Sequence, residues 1–246
     1  MLSCEEMQHH FQDFLVIDIE TVSGNENVEN LSEELRKHWN KKADFVRSDE
    51  SRTNDELYLD RAAIYAEFGK IIVIGMGIYH KVDGKPALRV KSLASHDETQ
   101  LLSTFKHFIE SKFDQDHLKL CAHNGKEFDF PYLCRRMLIN DIRIPWSLNM
   151  SGKKPWEINH IDTMELWKFG DWKNFTSLDL LTTIFQIPSS KKDLDGSMVT
   201  KTYYTEKEGL KRIDEYCKGD VIATAQLYLR LNNLPLIEDD FITIIN

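Results

Sequence analysis

The chain of 246 residues has a formal net charge of -9 at pH 7, with 41% hydrophobic and 29% charged residues. These fractions are typical of globular proteins and exclude a disordered or a fibrous chain. Because a chain of this length can bury a sizeable core, we predict a single domain over residues 1–246.

The sequence shows no membrane or disulfide signature. No stretch approaches the roughly 18 consecutive apolar residues of a membrane-spanning helix, so we expect no membrane partner. The N-terminal sequence MLSCEEMQHHFQDF lacks a basic segment followed by an apolar one, and we therefore expect a cytoplasmic location. The four cysteines are scattered without a CxxC pair, which favours reduced thiols over a zinc knuckle or a disulfide framework. They are Cys4, Cys121, Cys134 and Cys217.

Hydrophobic periodicity predicts an alternation of strands and helices. In chain order these are a strand over 14–17, helices over 29–39 and 57–68, strands over 70–79 and 88–93, a helix over 96–113, a strand over 118–122, a helix over 130–138, a short strand over 159–162, and helices over 177–185 and 208–231. The turn Asp83-Gly84 predicts an antiparallel hairpin. The order indicates an α/β fold, a mixed sheet flanked by helices. We interpret the charged stretch from about 22 to 55 as a surface insertion.

Two acids directly follow the first predicted strand. Asp18 and Glu20 are two residues apart, and side chains alternate faces along a strand, so both carboxylates should project from the same side. That spacing can hold one cation. The alternative is that both are solvated acids at the point where the strand leaves the core.

A second polar motif, HNGKEFD, lies where a strand gives way to a loop and then to a helix with Pro131 in its first turn. Asp129 falls near the start of this helix, where an ordinary N-cap is the alternative to a functional role. Asn124 can likewise be a turn residue beside Gly125.

The third motif, YCKGD, lies in the last predicted helix. Tyr216 and Asp220 are four apart and share one helix face, although an exposed acid beside a partly buried Tyr is a common arrangement. Taken together, the motifs place four acids on three elements. Such acids repel one another unless cations join them, and Mg²⁺ or Mn²⁺ prefers oxygen ligands.

The motifs DIET, HNGKEFD and YCKGD, at 18–21, 123–129 and 216–220, resemble those of the DEDD exonuclease superfamily. They are most similar to its DEDDy branch, which includes the proofreading domains of family B DNA polymerases. The segments FGKIIVIG at 68–75 and DGSMV at 195–199 are similar to a group of free-standing bacterial predicted exonucleases of this kind. The resemblance covers nearly the whole chain and implies an RNase H-like fold.

The resemblance also implies a mechanism and a set of site residues. It implies a two-metal 3′-5′ exonuclease that releases nucleoside 5′-monophosphates from single-stranded or frayed DNA ends, in repair or in proofreading in trans. Two divalent cations, Mg²⁺ or Mn²⁺, would be held by Asp18, Glu20, Asp129 and Asp220. Tyr216 would orient the attacking water. The terminal nucleotide would be positioned by Thr21, Asn124 and Phe128.

Other interpretations remain open. An RNA 3′-5′ exonuclease of the RNase D kind would use the same chemistry, although we expect DNA rather than RNA as the partner. A catalytically silent nucleic-acid-binding module would keep the fold without turnover, but none of the four carboxylates is missing. The negative net charge argues against tight duplex binding. No residue identifies a polymerase or repair partner.

Three further groups of residues have a structural and a functional interpretation. The acids and imidazole of His160, Asp162 and Glu165 suit a strand leading into a helix capped by Asp162. A basic and aromatic group can contact phosphates and stack a base, or form a solvated loop; it comprises Lys191, Lys192, Lys201, Tyr203 and Tyr204. The tryptophans expected in the core or in a lid are Trp146, Trp156, Trp167 and Trp172.

Overall fold

A six-stranded mixed sheet forms the centre of the molecule. The computed structural model describes residues 11–47, 51–171, 175–188 and 194–245. The strands are β1 Phe14–Ser23, β2 Gly69–Val82, β3 Lys85–Ala94, β4 Lys119–Ala122, β5 Ile161–Asp162 and β6 Ile242–Ile245. Their spatial order is β5-β4-β1-β2-β3-β6. The pairs β1–β2 and β2–β3 are antiparallel, and the remaining pairs are parallel.

Helices flank both faces of this sheet. Within the described residues they are α1 Glu33–Val46, α2 Asn54–Arg61, α3 Glu98–Lys112, α4 Asp129–Ile139, α5 Thr163–Lys168, α6 Leu178–Phe185, α7 Val199–Thr205 and α8 Gly209–Leu231. The predicted class is confirmed: a mixed sheet flanked by helices in one α/β domain. The hairpin at Asp83-Gly84 is also confirmed, since β2 and β3 pair up to that turn.

The side chains of the central strand β1 face two different cores. Leu15 and Ile17 pack with residues of α3 and α4 on one face. Phe14 and Val16 pack with residues of α8 on the other. All four are buried, as expected for a strand covered by helices on both sides. The alternation continues beyond Ile17, so the next even-numbered residues also face α8.

Helix α8 approaches the sheet closely where β2 carries two glycines. A Cβ atom on Gly75 would lie 2.7 Å from Val221 and 2.9 Å from Cys217, and one on Gly77 would lie 2.8 Å from Val221. Gly75 pairs with Asp18 across the two strands. The absence of side chains at these positions therefore brings the middle of α8 next to the acidic part of β1.

The expectation that the first strand ends before its acids is wrong. Strand β1 continues through Asp18 and Glu20 to Ser23, with a register irregularity between Glu20 and Thr21. The ladder with β2 provides hydrogen-bond partners for the backbone of these residues, so their polar side chains do not terminate the strand. The acids therefore lie inside the sheet and not in a loop beyond it.

The charged stretch from 22 to 55 has an apolar core of its own. Helix α1 begins and ends later than the predicted helix over 29–39. Its Trp39 is fully buried and packs edge-to-face on Tyr58 and Phe68. Aromatic burial of this kind stabilises a segment far more than its overall polarity suggests.

The helix predicted over 57–68 is shorter in the structure. Helix α2 ends at Arg61, and a 3-10 turn follows at Ala62–Ile64. Gly69 does not stop a helix but begins β2. A Cβ atom there would lie 2.2 Å from the hydroxyl of Tyr132, so the close approach of that side chain excludes a larger residue.

Two elements, α7 and β6, were not predicted from the sequence. Helix α7 is short and relies on tertiary contacts: Tyr204 donates a hydrogen bond to the carbonyl of Ser23, and the Ser23 amide donates to Thr200. Periodicity in a segment of seven residues is too short to indicate a helix. Strand β6 joins the edge of the sheet through its pairing with β3.

Of the two expected positions for the tryptophans, the core or a lid, the core is excluded for two of them. Trp146 and Trp156 are 62% and 75% exposed, because both lie in 3-10 turns of the long connection between α4 and β5. Trp167 packs edge-to-face on Phe185, and Trp172 lies outside the described residues. In the described ranges, no helix combines the length and apolar character needed to cross a membrane.

Candidate active site

The acids of β1 project toward α8 from the same face of the sheet. The thiol of Cys217 on α8 donates hydrogen bonds to the carboxylate and the carbonyl of Asp18, at 3.3 and 3.5 Å. Glu20 is only 7% exposed. Oxygen atoms of both acids lie within 4.8 Å of each other and of the Cys217 sulfur. The predicted pairing of these two carboxylates is therefore seen in the structure.

Asp129 contacts the same part of β1 from the start of helix α4. It is the first residue of α4, and Phe128 occupies the N-cap position, so the N-cap interpretation of Asp129 is wrong. The Asp129 carboxylate is 4% exposed and accepts a hydrogen bond of 3.1 Å from the Ile19 amide. The pairing of β1 with β4 stops at Val16, so this amide has no strand partner on that side and turns to the carboxylate instead.

The fourth acid, Asp220, lies one turn along α8 from Tyr216, as the four-residue spacing predicts. Its charge acts on Asp18. Burial, followed by the charges of Glu20, Asp220 and Asp129, raises the pKa of Asp18 well above the ordinary carboxyl value. All three predicted motifs therefore contribute carboxylates to one place.

Burial also shifts the pKa of the neighbouring groups. It raises the pKa of Asp129 to about 7, against the hydrogen bond from Ile19, which lowers it. It raises the pKa of Tyr216 above its ordinary value, and the charges of Asp220 and Glu20 and a hydrogen bond with Asp220 raise it further. The Tyr216 hydroxyl is thus held neutral as a hydrogen-bond donor beside the acids.

Asp162 fixes the loop that precedes Asp129. The Asp162 carboxylate accepts hydrogen bonds from the backbone amides of Met164 and Glu165 and so caps α5, as predicted. The same carboxylate accepts hydrogen bonds from the amides of Asn124 and Lys126, at 2.9 and 3.1 Å. This second contact was missed, because the sequence places Asp162 more than 30 residues from the loop.

His123 ties the same loop to the chain before α6. One ring nitrogen lies 2.9 Å from the Thr163 hydroxyl, and the other lies 2.9 Å from the Thr176 carbonyl. His160, in turn, accepts a hydrogen bond from the Leu120 amide and contacts the Ser147 carbonyl, so it has a structural position as predicted.

The predicted substrate-binding residues are sequence neighbours of the acids. Thr21 follows Glu20 in β1 and is buried. Asn124 has a left-handed backbone with φ of 63°, and within the described part of the chain its buried side-chain oxygen has no hydrogen-bond partner. Phe128 packs on Tyr132, with ring centroids 5.2 Å apart. A buried acceptor without a partner is uncommon and often marks a ligand position.

The basic and aromatic group that was considered for phosphate and base contacts lies only partly within the described residues. Tyr203 and Tyr204 of α7 pack at the edge of the cluster that also contains Tyr216. Tyr203 lies 2.8 Å from a ring nitrogen of His96, and the amine of Lys70 lies over its ring at 5.0 Å. Lys201 is exposed; Lys191 and Lys192 lie outside the described residues.

The donor set of the site fits divalent cations. Four carboxylates converge from β1, α4 and α8, and burial together with the charges of the other three acids raises the pKa of Asp18. Carboxylate oxygens are the ligands that Mg²⁺ and Mn²⁺ prefer. A bound cation would offset the repulsion between these carboxylates. Among the described residues, no positively charged side chain is seen in direct contact with Asp18 to do so.

The mixed sheet, with acids on its central strand and on a helix packed over it, defines the class of α/β proteins with an RNase H-like exonuclease fold. Residues 64–239 match a family described as a predicted 3′-5′ exonuclease related to the exonuclease domain of PolB, and the chain belongs to that family. The matched residues include Asp129, Tyr216 and Asp220, whereas Asp18 and Glu20 precede them. A comparison with curated proteins found no match.

Proposed function

We propose that this protein removes nucleotides from the 3′ end of single-stranded or frayed DNA with two divalent cations, Mg²⁺ or Mn²⁺, and releases nucleoside 5′-monophosphates. The observation that carries the proposal is the convergence of four carboxylates from three elements next to a neutral tyrosine hydroxyl. Family membership supports a nuclease in general terms.

In this proposal Asp18, Glu20, Asp129 and Asp220 hold the cations. Such cations, when bound, polarise the scissile phosphate and lower the pKa of a bound water. Asp18 is the central ligand, because the other three acids all act on its carboxyl group. Its variants should therefore have the largest effect.

Tyr216 orients the attacking water in this proposal. A group that positions water must keep its proton near neutral pH, and the raised pKa of Tyr216 ensures this. The hydrogen bond with Asp220 fixes the direction of the hydroxyl. Phe128 would hold the terminal nucleotide by ring stacking. Asn124 would hold it through its side-chain oxygen, which has no hydrogen-bond partner among the described residues.

The test is degradation of a 5′-labelled single-stranded DNA with Mg²⁺ or Mn²⁺. We expect a ladder that shortens stepwise from the 3′ end, free nucleoside 5′-monophosphates, and loss of both in chelator. Asp18→Asn removes one charge with little change of shape and should abolish cleavage. Asp83→Asn is the matched control, because Asp83 is an exposed acid at the hairpin turn.

A DNA and an RNA strand of the same sequence, mixed in one reaction, decide the substrate. Faster loss of the DNA supports the proposal, and faster loss of the RNA shows an RNA exonuclease built on the same site. Binding of either strand without cleavage, in both metals, would refute the proposed reaction and indicate a silent binding module.

A further inference from the structure

A sulfur atom lies among the oxygen ligands of the proposed metal site. Cys217 is fully buried on α8, and its sulfur is 3.3 Å from a carboxylate oxygen of Asp18. The sulfur and oxygen atoms of Asp18 and Glu20 all lie within 4.8 Å of one another. A cation among them would therefore be within reach of two oxygen ligands and one sulfur ligand after small side-chain rotations.

This position of the sulfur depends on the packing of α8 against β2. A Cβ atom on Gly75 would lie 2.9 Å from the Cys217 sulfur, so the glycine leaves the space that the sulfur occupies. Gly75 pairs with Asp18. The backbone pairing and the missing side chain thus hold the sulfur at the carboxylate, and the arrangement does not depend on a flexible surface chain.

We propose that Asp18, Glu20 and Cys217 bind a thiophilic divalent cation, such as Zn²⁺ or Cd²⁺, and that this cation blocks the exonuclease reaction. Only the inhibition, and not the binding of the cation, rests on the proposed function. It assigns to Cys217 the role of a selective ligand, which the oxygen-preferring cations of the reaction do not need.

The chemistry follows from ligand softness. Mg²⁺ binds oxygen ligands and has little affinity for thiolates, whereas Zn²⁺ and Cd²⁺ bind them strongly. A coordinating thiol gives up its proton as the metal–sulfur bond forms, and the proton leaves to water. No electron is transferred. The hydrogen bond from the thiol to Asp18 is replaced by a cation that both groups share.

Inhibition follows because the Asp18 carboxylate cannot bind the inhibitory cation and the cations of the proposed reaction at the same time. A Zn²⁺ ion bound to sulfur would occupy the carboxylate that the proposed reaction needs and would draw it toward α8. Excess Mg²⁺ should compete poorly, because it gains nothing from the sulfur. Zn²⁺ should therefore inhibit far below the Mg²⁺ concentration that supports the reaction.

The first experiment measures metal–sulfur bonding without substrate. Cd²⁺ is added to the full-length, metal-free protein, and the ultraviolet charge-transfer band of a Cd²⁺–thiolate bond is followed. We expect a saturable band in the wild type and in Cys134→Ser, which changes a partly buried thiol outside the site. The band should be lost in Cys217→Ser, whose hydroxyl can still donate to Asp18.

A second variant guards against misfolding of Cys217→Ser. In Asp18→Asn the thiol is intact but a charged ligand is missing, so the same band should require at least about tenfold more Cd²⁺. A band of equal strength and midpoint in the Cys217→Ser or Asp18→Asn variants would overturn the inference. The absence of any band in the wild type would overturn it as well.

The second experiment measures inhibition, with each variant's rate in Mg²⁺ as its own reference. We expect half-inhibition of the wild type at a Zn²⁺ concentration at least about tenfold below that of Cys217→Ser. Equal sensitivity would overturn the inhibitory role. If no variant has exonuclease activity, the proposed function fails, while the Cd²⁺ band still decides whether the cation binds; activity without the band contradicts the inference alone.

Discussion

The metal-free site should destabilise the protein at neutral and alkaline pH, and Asp129→Asn should relieve that effect. The pKa of Asp129 is raised from 3.8 to about 7 by burial. A pKa difference of about three, at about 1.4 kcal/mol for each tenfold change in equilibrium constant, corresponds to about 4 kcal/mol. This is the free energy of ionising Asp129 in the folded protein relative to the unfolded one.

The sign of the effect follows from proton binding. Between about pH 4 and pH 7 the folded state holds a proton on Asp129 that the unfolded state has lost, so the free energy of unfolding falls as pH rises through this window. Below it the effect vanishes, and above it the full cost is present. An asparagine does not ionise, and its side-chain oxygen still accepts the hydrogen bond from Ile19.

The assay is urea denaturation in chelator at about pH 4 and about pH 8. Asp129→Asn should be similar to the wild type in acid and more stable by about 2–4 kcal/mol at the higher pH. Adding Mg²⁺ should stabilise the wild type more than the variant, because a bound cation compensates the buried charge. A stability difference that is the same at both pH values would refute the reasoning.

Three further variants test the geometry of the site. In steady-state kinetics, Tyr216→Phe should lower kcat by roughly 10²-fold with KM nearly unchanged, as expected for loss of one positioned donor. An unchanged kcat would exclude the tyrosine from the reaction. Gly75→Ala should lower the free energy of unfolding by about 1–3 kcal/mol, because its Cβ would lie 2.7 Å from Val221. The control Gly196→Ala places its Cβ in open space and should melt at the same temperature as the wild type. Asp162→Asn should lower the free energy of unfolding by about 1–3 kcal/mol and slow cleavage, because it weakens the hydrogen bonds to the loop and to α5. Normal kinetics with reduced stability would limit the role of Asp162 to the fold.

The sequence by itself determined the class of fold and the acidic residues of the candidate site. The alternation of apolar strands and amphipathic helices indicates a mixed sheet with helices on its faces, because these periodicities are local. The three acidic motifs are also local, and in two of them the spacing places a pair of side chains on one face of a strand or a helix. Asp18 with Glu20, and Tyr216 with Asp220, have the relative positions that this spacing predicts.

Only the tertiary structure decided how these pieces meet. Strand β1 continues through its acids because β2 pairs with it, and α7 exists because it packs on the end of β1. Asp162 reaches the loop before Asp129, and the Cys217 sulfur reaches Asp18 beside Gly75, across sequence separations of more than 30 residues. Such contacts depend on which side chains are missing as well as on which are present, and hydrophobic periodicity carries no information about them.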